Sequence, residues 1–552
     1  MQSRNKVPRS LKLLIVAALP LAMVIGLWLG YRQEIRSAWA RIRYPRVVLV
    51  TFDTLNINCT GPYNRSVDYT PNLDRLAAEG LVFQRAYTTV PITLPSHASL
   101  MTGRTPRDLG VMLNGDSLEE EVETIAELLR RAGYRTAAFT SLGVVGSRFN
   151  LDQGFDHYDD KFYLENYRWY RTADEVFEAA KPWIRATQTE PFFVWLHFSD
   201  PHEPYFAKEA PPDTRLTLNG EPVGEWSLRS KERQTVRLRL APGLHRLTWT
   251  SLRPRRPDDK RTTALRLKLK HVEPLRSFLT EPAIDLESEK ELKDSYTLEL
   301  ENDSSLEVDL TLRFEGRLES PPPSEVREQY VLEVGFADRY LGELRRLFES
   351  LGLEEETLWI IASDHGEGLY RLQILGHAEF VQEDQLRVIW LMKGRGIQPG
   401  ARVDTPVLLQ DVLPTLLDLL GLETPEEVSG HTQTGCWRRS GCREREEWWA
   451  FGASSETGSI TGVAGYRPPW KLIWQERSRS GGYNLAEDPW EQVNLGKPFT
   501  RDPSLVPPDI ESLNRSIWAQ RDRLQELLVK RSGAEMDPER LELLRSLGYL
   551  GN

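Results

Sequence analysis

Short, largely apolar runs recur along the chain at 47–52, 136–140, 192–198, 358–362 and 388–392. Their length and their Val, Ile and Phe content predict strands buried on both faces, as in a parallel sheet. Between them lie segments with apolar residues at helical spacing, clearest over 71–80, 121–133, 173–187 and 331–351. Strands alternating with helices predict an α/β fold around a mostly parallel central sheet. Between 205 and 321 the texture changes. Segments 214–218, 235–240, 265–269, 296–300 and 308–312 alternate apolar with polar residues, and turns such as Asn219-Gly220 and Pro242-Gly243 separate some of them. That period of two predicts antiparallel strands, read as a β-sandwich inserted into the α/β domain. Pro321, Pro322 and Pro323 close the insert as a stiff linker. Beyond it come a strand and helix over 406–421, an edge hairpin at 481–485, a helix over 510–529 and a short amphipathic helix at 541–549.

The N-terminus follows a different rule. Arg4, Lys6, Arg9 and Lys12 precede an uncharged apolar run over 13–30. At 18 residues it is just long enough to span a bilayer. A cleaved signal peptide is the alternative, with Ala38-Trp39-Ala40 resembling a cleavage site. Arg32, Glu34 and Arg36 intervene, which suits an uncleaved anchor better. The expected organisation is therefore a basic segment (1–12), a transmembrane anchor (13–30), a discontinuous catalytic domain (45–205 and 322–430), the β insert (206–321) and a C-terminal subdomain with a helical tail (431–552). The anchored topology places everything after Arg46 outside the cytoplasm, in the periplasm or at the cell surface.

Composition narrows the partners. The 552 residues carry 70 Lys and Arg against 81 Asp and Glu, a net charge of −11, which argues against a nucleic-acid binder. Three cysteines are too few for a disulfide framework or a Cys-based zinc site. Cys436 and Cys442 are close enough in sequence to pair in an oxidising compartment, leaving Cys59 over.

Chemistry gathers at the carboxyl ends of the predicted strands, where open α/β sheets bind ligands. Asp53 follows the first strand, Asp200 the third, and Asp364 with His365 the fourth. Carboxylates and imidazole suit a single divalent ion such as Ca, Mn, Zn or Mg. Thr93 precedes Pro95, Ser96 and His97, and its hydroxyl beside such an ion becomes a candidate nucleophile. Taken alone, that stretch reads as a loop entering a helix capped by Ser96. His202, on a loop after a strand, and His377 are candidates to bind an anionic group or to protonate a leaving oxygen. His97 either orients Thr93 or caps the helix; His197, inside an apolar strand, reads as a core residue.

These segments resemble the sulfatase family of the alkaline phosphatase superfamily. The matching stretches are Phe52-Asp53-Thr54-Leu55, the run from Thr70 to Ala77, the run from Thr93 to Arg104, Asp200-Pro201-His202-Glu203-Pro204-Tyr205, Ser363-Asp364-His365-Gly366-Glu367, the run from Asp411 to Leu416, the run from Asp488 to Leu495 and Leu547-Gly548-Tyr549. The resemblance implies an alkaline-phosphatase-like α/β/α sandwich followed by a smaller C-terminal α+β subdomain. It also implies hydrolysis of sulfate or phosphate esters, on a glycan or a lipid. Three departures qualify it. Thr93 stands where family members carry the Cys or Ser that becomes formylglycine, so no formylglycine is expected. His97 replaces an Arg, and Asp53-Thr54 replaces a pair of Asp residues. A Thr nucleophile with Asp and then Asp-His resembles the phosphoethanolamine and phosphoglycerol transferases, so transfer to an envelope polymer or lipid is the alternative activity. A degenerate fold that only binds an envelope polymer is the alternative outside catalysis.

Overall fold

The computed structural model describes residues 34–161, 170–203, 205, 214–226, 234–251, 265–273, 290–292, 295–302, 308–318, 323–438, 441–476, 480–495 and 508–532. The predicted basic segment, the apolar run 13–30 and the tail helix 541–549 lie outside these residues. Among the described residues no helix is long and apolar enough to cross a membrane. The chain divides into two units. One holds residues up to Ser199, Asp338–Gly368 and His377 onward; the other holds Asp200–Ala337 and Leu369–Gly376.

The first unit is built on an eight-stranded sheet. In chain order its strands are β1 (Arg46–Phe52), β2 (Leu81–Phe83), β3 (Arg135–Phe139), β4 (His157–Asp159), β5 (Phe192–Phe198), β6 (Thr357–Ser363), β7 (Trp390–Lys393) and β8 (Ala401–Val403). Their spatial order is β8-β2-β7-β6-β1-β5-β3-β4. Only the β6–β7 and β7–β2 pairs are antiparallel, so the sheet is mostly parallel as expected. β1, β5 and β6 are buried along their whole length, which is why they read as continuous apolar runs. The helices of this unit include α1 (34–43), α2 (Pro71–Glu79), α3 (Thr93–Thr102), α4 (Ile125–Arg131), α5 (Ala173–Thr187), the second part of α6 (Pro323–Ser350), α7 (Glu383–Leu386), α8 (Val412–Leu420) and α9 (Pro508–Ser532).

Several boundaries move for identifiable reasons. The helix expected over 121–133 begins only at Ile125, because Thr124 and Glu127 form a reciprocal capping box that sets its start. The helix expected over 331–351 starts at Pro323 instead, so Pro323 opens a helix rather than ending a linker. α2 has no side-chain cap from its own Thr70. Asp338 on α6 accepts from Asn72 N and Leu73 N at 3.0 and 2.8 Å and satisfies those orphan donors from outside the helix.

The C-terminal part is α+β. Strands β9 (Trp448–Ser454), β10 (Ser459–Arg467), β11 (Trp470–Gln475) and β12 (Gly481–Asn484) form an antiparallel sheet in that order, with β12 at its edge. α9 packs Leu513, Ile517, Leu524 and Leu528 against Phe451, Ile460 and Val463 of that sheet. Cys436 and Cys442 are joined as a disulfide, and Cys59 is buried and outside any disulfide.

The second unit contains two four-stranded antiparallel sheets. Their strands include Thr214–Leu218, Gln234–Leu240, Leu265–Glu273, Ser295–Asn302 and Val308–Leu318, at the alternating segments. Leu216, Val236, Leu238, Leu240, Leu247 and Trp249 are buried, so the period of two separates an inner face from an outer one.

Candidate active site

Strand register builds the centre of the site. Phe52 is level with Phe198 on one neighbour and with Ser363 on the other, so Asp53 and Asp364 leave the carboxyl edge side by side. The backbone continues that alignment, with Asp53 N donating to Phe198 O at 2.8 Å and Asp364 N to Phe52 O at 3.3 Å. Thr54 then turns through a left-handed conformation, φ 56°. The turn aims Thr54 N at Asp364 Oδ1, 3.1 Å away, and His365 N reaches the same oxygen at 2.7 Å. Asp364 Oδ2 is left buried with no hydrogen bond. It lies 3.3 Å from His365 Nε2, which is 3.8 Å from Asp53 Oδ1.

His365 is held in one tautomer. Its Nδ1 faces the Gly366 carbonyl at 3.0 Å; a carbonyl can only accept, so Nδ1 carries the proton and Nε2 keeps its lone pair. Asp53, Asp364 and His365 are all fully buried, and their ligand atoms lie within 4.8 Å of one another. Burial, reinforced by the Asp53 charge, pushes the Asp364 carboxyl well above its ordinary range. Two buried carboxylates, an orphaned oxygen and a neutral imidazole nitrogen converging on one point fit a divalent cation. The Thr54 side chain does not join them: its hydroxyl donates to the Asp53 carbonyl at 2.8 Å.

Helix α3 delivers the nucleophile candidate. It begins at Thr93 and ends at Gly103, whose left-handed φ of 67° is the usual helix stop. Ser96 therefore sits inside the first turn rather than capping it, which corrects the sequence expectation. The reason is Pro95, which fits a first turn without losing a needed donor. The Ser96 hydroxyl instead donates to the Asp364 carbonyl at 2.6 Å, tying α3 to the end of β6. Thr93 is fully buried, with Oγ1 3.4 Å from His365 Nε2. Asn114 accepts from Leu94 N at 3.0 Å, and its own Nδ2 is buried with no hydrogen bond. An amide donor beside a helix N-terminus suits an anion.

His97 settles one open choice. Its Nδ1 donates to the Thr93 carbonyl at 2.9 Å and its Nε2 accepts from Thr51 Oγ1 at 3.1 Å, so it braces the backbone of the first turn and does not touch the Thr93 hydroxyl. Burial, with His197 nearby, pushes it down to about 3, so it stays neutral.

His197 is more than a core residue. Ser141 N and Oγ approach its Nδ1 at 3.3 and 2.8 Å, which makes Nδ1 an acceptor. The proton is then on Nε2, 3.5 Å from Asp53 Oδ2. Its apolar neighbours disguised it, although its place one residue before the end of a buried strand was a usable signal. Glu367 was also missed as a partner. Fully buried, it sits 3.1 Å from His377 Nδ1, and the His377 ring lies 4.7 Å from that of His365. The structure thus brings Asp53, Thr93, Asp364, His365 and His377 together. His202 belongs to the second unit, where its Nδ1 meets the Glu203 carbonyl at 2.5 Å.

The family profile described as Sulfatase matches residues 45–422. Human arylsulfatase K is 25% identical over 76% of this chain and 70% of its own. A 2-O GAG sulfatase of known structure superposes with a TM-score of 0.58 at 18% identity, covering 90% of this chain and 95% of the other. The phosphonate monoester hydrolase of Agrobacterium radiobacter gives a TM-score of 0.56 at 18% identity, covering 86% and 96%.

Proposed function

The chain belongs to the sulfatase family, and from that premise we propose that it is a membrane-anchored, metal-dependent hydrolase of sulfate or phosphate esters with Thr93 as nucleophile. The observation that carries the reading is the buried cluster of Asp53, Asp364 and His365 with the Thr93 hydroxyl 3.4 Å from His365 Nε2. Both ester classes stay in the proposal because the names of the similar proteins span sulfatases and a phosphonate monoester hydrolase.

Asp53, Asp364, His365 and Thr93 Oγ1 would hold one divalent ion. Such an ion supplies Lewis acidity, easing deprotonation of the Thr93 hydroxyl and withdrawing charge from an ester oxygen. Thr93 Oγ1, its hydroxyl proton passed to water, attacks the central S or P atom; the new Oγ1 bond forms as the bond to the leaving oxygen breaks. The α3 N-terminus and Asn114 Nδ2 face the resulting anionic group. His377, protonated on both nitrogens with its Nδ1–H held on the Glu367 carboxylate, passes the Nε2 proton to the leaving oxygen. Water then cleaves the ester on Thr93. An acceptor alcohol in place of that water would make the enzyme a transferase, a second reading favoured by Thr93 itself.

The apolar run 13–30 supports a single-pass anchor with the catalytic domain outside the cytoplasm, and the Cys436–Cys442 disulfide fits such a compartment. The deciding assay sets Thr93→Ala against a panel of sulfate monoesters, phosphate monoesters and phosphate diesters. Turnover should fall to background on whichever ester the wild type cleaves. Full turnover by Thr93→Ala would remove Thr93 as nucleophile.

A further inference from the structure

Helix α1 buries one face and displays another. Ser37, Ala40 and Tyr44 are buried, and Ala40 and Tyr44 belong to the main core. The Tyr44 hydroxyl donates to the Arg395 carbonyl and Arg41 donates to the Ala132 carbonyl. On the opposite side Ile35, Trp39 and Ile42 are 40%, 66% and 69% exposed. At about 100° per residue these three fall within an arc of roughly 60°, opposite the buried set. Three large apolar side chains stacked in one stripe differ from scattered surface apolar residues, which need no partner.

The flanks of the stripe are basic. Arg36 and Arg43 lie on one side and Arg41 on the other, with Glu34 the acid of this helix. Arg36 is paired with Glu423, while Arg43 lies over the Tyr44 ring at 5.5 Å. The chain outside the described residues ends just before this helix, and its apolar run stops at Gly30, five positions before Ile35. A stripe of Ile and Trp with Arg at its margins, directly after an apolar span, matches a bilayer interface. There Trp sits at headgroup depth and Arg meets anionic lipid.

We propose that the Ile35–Trp39–Ile42 face of α1 lies on the surface of an anionic phospholipid bilayer and holds the catalytic unit against it. The inference rests on the anchored reading of residues 13–30. It adds a second contact, made by the folded unit itself, which restricts how the unit stands on the membrane. An ester presented at the lipid surface would then meet the enzyme in a fixed orientation.

The test uses the full chain reconstituted in vesicles of neutral and anionic phospholipid. Cys59 is buried and Cys436 is paired with Cys442, so an introduced thiol takes an environment-sensitive dye selectively. Dyes are placed at Trp39→Cys, Ile42→Cys and, as an exposed apolar comparison on α9, Val529→Cys. Spin-labelled lipids bearing the label near the headgroup should quench positions 39 and 42 about threefold or more relative to 529. An aqueous quencher should show the reverse order. Dyes at 39 and 42 that remain open to the aqueous quencher in vesicle-bound protein overturn the inference while leaving the anchor intact. Protection that grows with the protein-to-lipid ratio assigns the stripe to a second copy of the chain and also overturns it. Wild-type protein that fails to float with vesicles overturns the anchored reading itself.

Discussion

Replacing Lys471 by Met removes the ammonium from a cluster that has no access to water. Lys471, Glu383 and Glu491 are all buried. Lys471 Nζ lies 3.0 Å from Glu383 Oε1 and 2.6 Å from Glu491 Oε1, and Tyr466 donates to Glu383 Oε1 at 2.9 Å. Without the ammonium, two carboxylates face each other in a low-dielectric interior, which costs about 3–5 kcal/mol. For a unit of roughly 400 residues that unfolds together, at ~2.1 cal/mol/K per residue, that is about 4–6 °C in Tm. The penalty should depend on pH. Burial, with the Glu383 charge, pushes Glu491 up from 4.5 to about 7. The folded state therefore binds more protons than the unfolded state between those values. Stability from this group is present below about 4.5 and lost as pH rises through 7. Lys471→Met takes away the ammonium that holds Glu491 down and so raises it further, and acid relieves the variant. Scanning calorimetry should find the full Tm drop at pH 8 and less than half of it at pH 5.5. An equal drop at both pH values, or none at pH 8, would refute the account. Glu491→Gln, which keeps the shape and an acceptor for Glu383 N (2.9 Å in the parent), should cost less than about 1 kcal/mol at pH 5.5.

The same cluster bears on the proposed metal ligands, because α7 carries Gln385, whose carbonyl accepts Gly366 N at 2.9 Å. Gly366→Ala would place a Cβ 2.0 Å from the Asp384 carbonyl; it should lower yield or melting point and weaken metal retention on dialysis, and unchanged retention in folded protein would count against this packing. Ser141→Ala removes the hydroxyl on His197 Nδ1 and should weaken metal affinity about tenfold with little change in Tm, as expected for an outer partner of Asp53; titration with a chelator reads this out. Chelation of the wild type should abolish turnover and a divalent ion should restore it, whereas Asp364→Asn should not recover at equal ion concentration. His377→Gln should depress kcat most for substrates with poor leaving groups, and a uniform loss across leaving groups would assign His377 to binding alone.

Much of this fold was legible because the physics that made each strand also wrote its pattern. β1, β5 and β6 are covered on both faces, so they read as unbroken apolar runs, and the insert strand Gln234–Leu240 alternates over 236–240 because one of its faces meets water. Helix starts were harder. α4 begins late because Thr124 and Glu127 cap it, and α2 is capped from another helix by Asp338, a contact no local pattern carries. At the site, Asp53, Asp364 and His365 stood out because polar residues at strand ends have few structural duties, and Thr93 because a hydroxyl there opens a stretch with Pro95, Ser96 and His97. His197 and Glu367 did not, since their partners Ser141 and His377 lie 56 and 10 residues away in sequence.

That division explains the character of the site as well as its detection. The residues that could be read early present donor atoms inward. A second set of contacts, invisible in any local pattern, fixes protons: Ser141 places the His197 proton toward Asp53, Gly366 O places the His365 proton away from the ligand cluster, and the Thr93 backbone carbonyl takes the His97 proton. Each choice leaves a lone pair or a buried N–H with a defined direction, and none requires a charged imidazole. The compensation for two buried carboxylates then falls on what occupies the space between them. In this chain His97 stands where the resemblance predicts Arg, so that compensation cannot come from this position of α3. A His97→Arg variant tests the point directly. If the guanidinium replaces part of the role of the cation, the variant should retain measurable turnover in chelator where the wild type has none. If it merely overfills a fully buried position, both turnover and melting temperature should fall together.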